Sequence, residues 1–141
     1  MDREVSKRQK GFTLIELLVV MVILGLLAAM VLPNFFGQAV KARVKVTRVQ
    51  IVSLGTALDT FALDVGRYPS TDEGLESLRT APSGVRMWDG PYLPKNVPDD
   101  PWGNPYNYRS PVDGAPYEIV SYGADGKAGG DADSGDISSK D

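Results

Sequence analysis

Hydrophobic positions along the chain change regime twice, and each regime predicts a different element. From Phe12 to Leu32 every residue is apolar except Thr13, Glu16 and Gly25. As a helix this run would reach about 31 Å, close to the roughly 30 Å hydrocarbon core of a bilayer. From Phe35 to Val65 the pattern turns amphipathic. Ile51, Leu54, Leu58, Phe61 and Val65 recur at alternating steps of three and four, which makes one apolar helical stripe. Arg48, Gln50, Ser53, Thr56, Asp59 and Thr60 fall largely off it. The stripe is expected to pack on the chain's own C-terminal half. Pro33 sits between the two regimes; it removes a donor and clashes with the carbonyl four residues back. A kink or short unwound stretch is therefore predicted near residues 29–34. Gly66 and Pro69 end the helical pattern.

Beyond Pro69 the helical period disappears. Ser70 and Glu73 are spaced as a capping box, with Leu75 and Leu78 facing inward from a short helix. Residues 81–105 are rich in Pro and Gly. They carry Trp88, Tyr92 and Trp102, too many aromatics for a disordered linker. "YNYR" and "YEIVSY" alternate at period two around Pro-Val-Asp-Gly-Ala, which predicts a β-hairpin. A third short strand is placed near Tyr92–Leu93. The tail "GADGKAGGDADSGDISSKD" has no period. The expectation is an α+β chain: one long N-terminal helix, its second half packed on a small antiparallel sheet.

Charge sharpens the division. The first eleven residues hold Arg3, Lys7, Arg8 and Lys10 against Asp2 and Glu4. Without them the chain has 11 basic and 16 acidic residues, a net of −5. An acidic body argues against nucleic acid as a partner, since phosphate binding draws on clustered Lys and Arg. Basic groups flank the apolar run on both sides, with Lys41, Arg43, Lys45 and Arg48 following it. Lys10 lies nearer to the run, which favours the N-terminal side as cytoplasmic. Lys41, Lys45 and Arg48 share one helix face; it is either a solvated face or one that meets acidic residues of another subunit, such as Asp59 or Asp64.

The chain has no Cys and no His. Thiol nucleophiles, disulfides, the commonest general base and the commonest zinc ligand are excluded together. G-x-S-x-G, Walker A and H-E-x-x-H patterns are missing as well. The paired carboxylates Asp72/Glu73 and Asp99/Asp100 are only sequence neighbours. The chain is expected not to be an enzyme.

Two features ask for chemistry. Glu16 lies inside an apolar run, where a carboxylate costs about 2.5–3.5 kcal/mol at a membrane centre and less near an end. A secretory signal peptide cleaved near Ala28–Ala29 would share the basic start, but this run is longer than the usual h-region and carries that acid. Asp125, Asp131, Asp133 and Asp136 crowd the tail among glycines. Hard oxygen donors on a flexible backbone suit Ca²⁺, although the EF-hand spacing is absent. An acidic Gly-rich tail of this kind is otherwise a solvated end.

The block "KGFTLIELLVVMVILGLLAAMVLPN" resembles the N-terminus of the type IV pilin-like family. The later blocks "RYPSTDEGLESL", "DPWGNPYNYRSP" and "YEIVSYGADGKAGGDADSGDI" look like its secretion branch, the major pseudopilins of type II secretion systems. The resemblance implies residues 1–11 as a leader, 12–33 as a membrane and filament-core helix half, and 34–141 as a periplasmic domain. It implies cleavage by a prepilin peptidase between Gly11 and Phe12, with N-methylation of Phe12. Glu16 would then pair with the N-terminal amine of a neighbouring subunit and fix the axial register; the alternative is a side chain that snorkels to the interface. The region around Pro33 would unwind on assembly. The implied protein is a single-pass inner-membrane subunit that polymerises with itself into a periplasmic pseudopilus for export of folded proteins. Its implied partners are minor pseudopilins and an inner-membrane assembly platform with an ATPase. The resemblance also implies a Ca²⁺ site on Asp125 and Asp136, with Asp133 or Asp131 adding oxygen and backbone carbonyls near Tyr122 and Lys127. Ser134 falls where the family places a carboxylate, which leaves the second and third ligands open. A type IV pilus or DNA-uptake pilin is the related alternative, though such proteins commonly end in a Cys-closed loop. A membrane-anchored calcium-binding module is the other.

Overall fold

A computed structural model describes residues 11–131 and 134–141; at residues 33–36 it describes the backbone alone. One helix, α1 (Leu14–Val65), precedes three short strands, β1 (Asn107–Arg109), β2 (Glu118–Ser121) and β3 (Ile137–Ser138). The backbone stays helical through residues 29–34, so no unwound stretch interrupts α1 there. The i→i−4 bond that proline forfeits is one of many in a 52-residue helix, and the flanking turns hold. The chain divides into two compact units, one ending at Gln38 and the other beginning at Ala39.

The first unit is helical from Leu14, and every residue from Gly11 to Leu32 is exposed. Exposures of its large apolar side chains run from 46 % at Val19 to 89 % at Leu14. This segment is long and apolar enough to cross a membrane.

The second unit has its own core. Ile51, Leu54, Leu58 and Phe61 are buried from α1, as the stripe predicts, and Val65 packs against them. Ala57 and Thr47 are buried on the same side. Thr47 tolerates this because its hydroxyl donates to the Arg43 carbonyl at 2.9 Å. Opposite them lie Leu75, Leu78, Leu93, Tyr106, Tyr108, Ile119 and Ile137. Gly66, at φ 83°, turns the chain out of α1. Its N–H donates to the Ala62 carbonyl at 2.9 Å. The capping box then forms in both directions: the Ser70 N–H donates to Glu73 at 2.7 Å, and the Glu73 N–H donates to the Ser70 hydroxyl at 3.2 Å. It leads not into an α-helix but into a four-residue 3-10 helix, Leu75–Leu78, with both leucines buried.

β1 and β2 form the predicted antiparallel hairpin, with Tyr108 opposite Ile119 and Arg109 opposite Glu118. Tyr108 and Ile119 face the core; Arg109 and Glu118 face out and pair at 2.9 Å. The third strand is not where the sequence places it. Tyr92–Leu93 forms no ladder. The Tyr92 ring instead packs 5.6 Å from Phe61 and 5.6 Å from Trp88, and its hydroxyl donates to Asp64 at 2.9 Å. The backbone of the segment is held outside any ladder, Tyr92 N–H donating to the Leu78 carbonyl at 2.8 Å and the Leu93 carbonyl accepting from Arg79 at 2.6 Å. The third strand comes from the tail, where Ile137 and Ser138 pair with Ser121 and Val120. β2 is therefore central. A two-residue strand is too short to show a period, and a single buried Ile137 supplies its apolar contact.

Candidate assembly segment and acidic loop

At the start of α1 the structure adds a partner that sequence reasoning misses. The Glu16 carboxylate accepts from the Thr13 N–H at 2.9 Å and from the Thr13 hydroxyl at 3.0 Å. The Glu16 N–H donates back to the Thr13 hydroxyl at 3.2 Å. Thr13-x-x-Glu16 is thus a second capping box, and the signal was the same one visible at Ser70 and Glu73. Both Thr13 bonds fall on Oε2, which leaves Oε1 without a partner among the described residues. Phe12, one residue before Thr13, is 88 % exposed, and Gly11 is exposed beside it. Gly11, Phe12 and Glu16 therefore cluster at one accessible helix end. Pro33 lies within α1, far along the sequence from that end.

Lys41, Lys45 and Arg48 are exposed. Of the acids suggested for them, Asp59 accepts from the Tyr68 hydroxyl at 2.9 Å and Asp64 from Tyr92. Each of those acids thus accepts a tyrosine hydroxyl of its own unit.

The acidic loop begins at Tyr122, which precedes the 3-10 turn Gly123–Asp125. Gly126 follows in the left-handed region at φ 64°. Asp125 Oδ1 accepts from the Lys127 N–H at 3.1 Å, and Asp136 Oδ2 accepts from the Gly129 N–H at 3.0 Å. The Asp131 carbonyl accepts from the Ser134 N–H at 3.0 Å. Gly130 approaches this fold-back so closely that a Cβ there would lie 2.4 Å from the Ser134 carbonyl oxygen. The expected ligand Asp133 lies outside the described residues. Among the described residues no group of three carboxylates comes together. The donor chemistry nevertheless suits a hard cation: Asp125 and Asp136 each use one carboxylate oxygen on a backbone N–H and keep the other without a partner among the described residues.

Residues 34–140 match the family described as Type II secretion system (T2SS), protein G, and residues 6–32 match the prokaryotic N-terminal methylation motif. The chain belongs to the type II secretion protein G family. It is 45 % identical to the Type II secretion system core protein G of Pseudomonas aeruginosa, over 93 % of this chain and 94 % of that one. It is 46 % identical to the protein of that name from Aeromonas hydrophila, over 96 % and 97 %. The crystal structure of the major pseudopilin from the type 2 secretion system of enterohaemorrhagic Escherichia coli superposes with a TM-score of 0.65 at 33 % identity. That match covers 76 % of this chain and 94 % of the other. The long helix with its small antiparallel sheet is therefore a pseudopilin fold, and a structural subunit of a secretion system is what members of the protein G family are.

Proposed function

We propose that the chain is the repeating subunit of a periplasmic pseudopilus, held in the inner membrane by residues 12–32 before assembly and polymerised through the same residues afterwards. The observation that carries this is the exposure of every side chain from Phe12 to Leu32, beside a second unit whose core is complete without them. Burying a large apolar side chain stabilises by about 1.5–3 kcal/mol. Lipid supplies that burial before assembly, and neighbouring copies supply it in a filament. Minor pseudopilins, a prepilin peptidase and an assembly platform with its ATPase are the partners this reading requires.

Glu16 is the register element. The Thr13 box orients the carboxylate toward the helix start, where cleavage after Gly11 would expose the Phe12 amine. A neighbour's amine that reaches Oε1 completes the carboxylate's bonding, and a misplaced neighbour leaves two charges uncompensated. The test has two arms. Mass spectrometry of the membrane-extracted protein should find a methylated chain beginning at Phe12. Glu16→Ala should be processed normally yet form no filaments; filaments of normal length from that variant would sink the register role.

The acidic loop is read as a Ca²⁺ site on Asp125 and Asp136, with Asp131 and Asp133 as further oxygen donors and the carbonyls of Tyr122 and Lys127 nearby. A bound divalent ion would draw these carboxylates together and neutralise them. The chain's own contribution is to carry Asp125 just after β2 and Asp136 just before β3.

A further inference from the structure

Asp100 is the only carboxylate among the described residues that is buried, at 4 % exposure. No cation faces it at bonding distance in the ion pairs of the described residues. Its charge is met by three hydrogen-bond donors. Oδ2 accepts from the Ser121 hydroxyl at 2.6 Å, and Oδ1 accepts from the N–H groups of Trp102 at 3.1 Å and Asn104 at 2.9 Å. The backbone closes the same turn, Asp100 N–H to the Asn104 carbonyl at 2.8 Å and Gly103 N–H to the Asp100 carbonyl at 2.9 Å. A buried carboxylate costs much unless it is bonded in this way.

Everything this hub grips on its far side belongs to the start of the acidic loop. Ser121, itself fully buried, also accepts from the Gly123 N–H at 3.3 Å. The Asn104 amide donates to the Gly123 carbonyl at 2.9 Å. Its Oδ1 lies 3.4 Å from where a Cβ on Gly126 would stand, so the amide fills the space that glycine leaves. The first residue of the Gly123–Asp125 turn is thus held by both its N–H and its carbonyl, and the residue after Asp125 is packed against the same amide. We infer that Asp100 and Asn104 form a clasp that positions the Gly123–Gly126 turn, and with it the Asp125 carboxylate, before any cation arrives. They are positioning residues: neither is offered as a ligand.

The cation part of this inference rests on the Ca²⁺ reading above, whereas the clasp itself does not. The test uses the processed full-length protein in detergent, as wild type, Asn104→Ala and Ser121→Ala. Hydrogen exchange in chelator reads the turn directly. Residues 121–127 should be protected in wild type and exchange at least tenfold faster in both variants, with residues 54–61 of the helix unchanged. Equal exchange in all three proteins would overturn the clasp. Calcium titration by calorimetry reads the consequence. Outer-shell changes typically cost 10–100-fold in metal affinity. Asn104→Ala should weaken binding at least tenfold, while its melting temperature in chelator falls little. Wild-type affinity in the variant would overturn the positioning role. No binding by wild type would instead remove the Ca²⁺ reading and the positioning of a ligand with it, and exchange alone would then decide the clasp.

Discussion

Glu73→Gln separates charge from shape at the turn leaving α1. Glu73 accepts from Arg67 Nη1 at 2.6 Å, Arg67 Nη2 at 2.7 Å and the Ser70 N–H at 2.7 Å. The Arg67 guanidinium, ahead of the Ser70 bonds, pulls its carboxyl down from 4.5 to about 2. A group depressed in this way stabilises the fold above its unfolded value and loses that contribution as pH falls toward the folded one. In a sealed site the effect would exceed about 3 kcal/mol. Here the Arg67 side chain is 47 % exposed and that of Glu73 20 %. Screening reduces the charge contribution to about 1 kcal/mol. Glutamine keeps an oxygen for the Ser70 N–H, so little else changes. For a unit of this size, 1 kcal/mol shifts the melting point by about 5 °C. Thermal melts at pH 7, 4.5, 3 and 2 should show wild type about 5 °C above the variant at pH 7. The gap should shrink as pH falls from 4.5 toward 2 and be almost absent at pH 2. A gap of constant size from pH 7 to pH 2 would refute the argument, since a packing defect has no such pH dependence.

Phe61→Ala should destabilise the second unit by about 3–5 kcal/mol, because the ring is fully buried and loses its edge contact with Tyr92. Urea unfolding with an unchanged m-value checks it, and a loss under 1 kcal/mol would contradict the core assignment. A site that binds only the folded protein adds about 2.7 kcal/mol at a hundredfold excess of Ca²⁺ over Kd. Melts in Ca²⁺ and in chelator should therefore separate by about 14 °C; superimposable melts would remove the metal claim. Tyr108→Phe deletes a buried hydroxyl that donates to the Pro69 carbonyl at 2.8 Å and should cost about 1 kcal/mol, read in the same urea experiment.

The elements with a period were legible. Ile51, Leu54, Leu58 and Phe61 announce a buried helix face because a 3.6-residue repeat admits few other arrangements. The hairpin followed from alternation in residues 107–109 and 118–121. What escaped had no period to show. β3 is two residues long, and its neighbour is fixed by long-range packing of Ile137. Asp100 looks, in sequence, like one more exposed acid beside Asp99. Its burial depends on Ser121, twenty-one residues away, which no local pattern reveals. The Asp-Pro-Trp-Gly-Asn run did carry a turn signature, with Asp at the first position and Gly at the fourth. The Thr13–Glu16 box was readable from the rule that located Ser70–Glu73.

On the proposed reading, those two boxes let one helix serve two environments. Ser70–Glu73 lies outside the apolar segment and fixes the exit from α1 with a charge that water screens. Thr13–Glu16 lies at the entry, where on the proposed reading the same geometry would operate in hydrocarbon. There an unpartnered carboxylate would oppose membrane residence, and a fully satisfied one would have nothing left to offer a neighbour. The observed bonding lies between these limits: Oε2 is taken twice by Thr13 and Oε1 is open among the described residues. On the proposed reading, partial satisfaction would lower the cost of waiting in lipid without removing the gain on meeting an amine. The second unit can remain indifferent to that exchange because no buried side chain of its core comes from residues 11–32. Transfer from lipid to filament, as proposed, would then change what surrounds the first unit while the core of the second stays as it is.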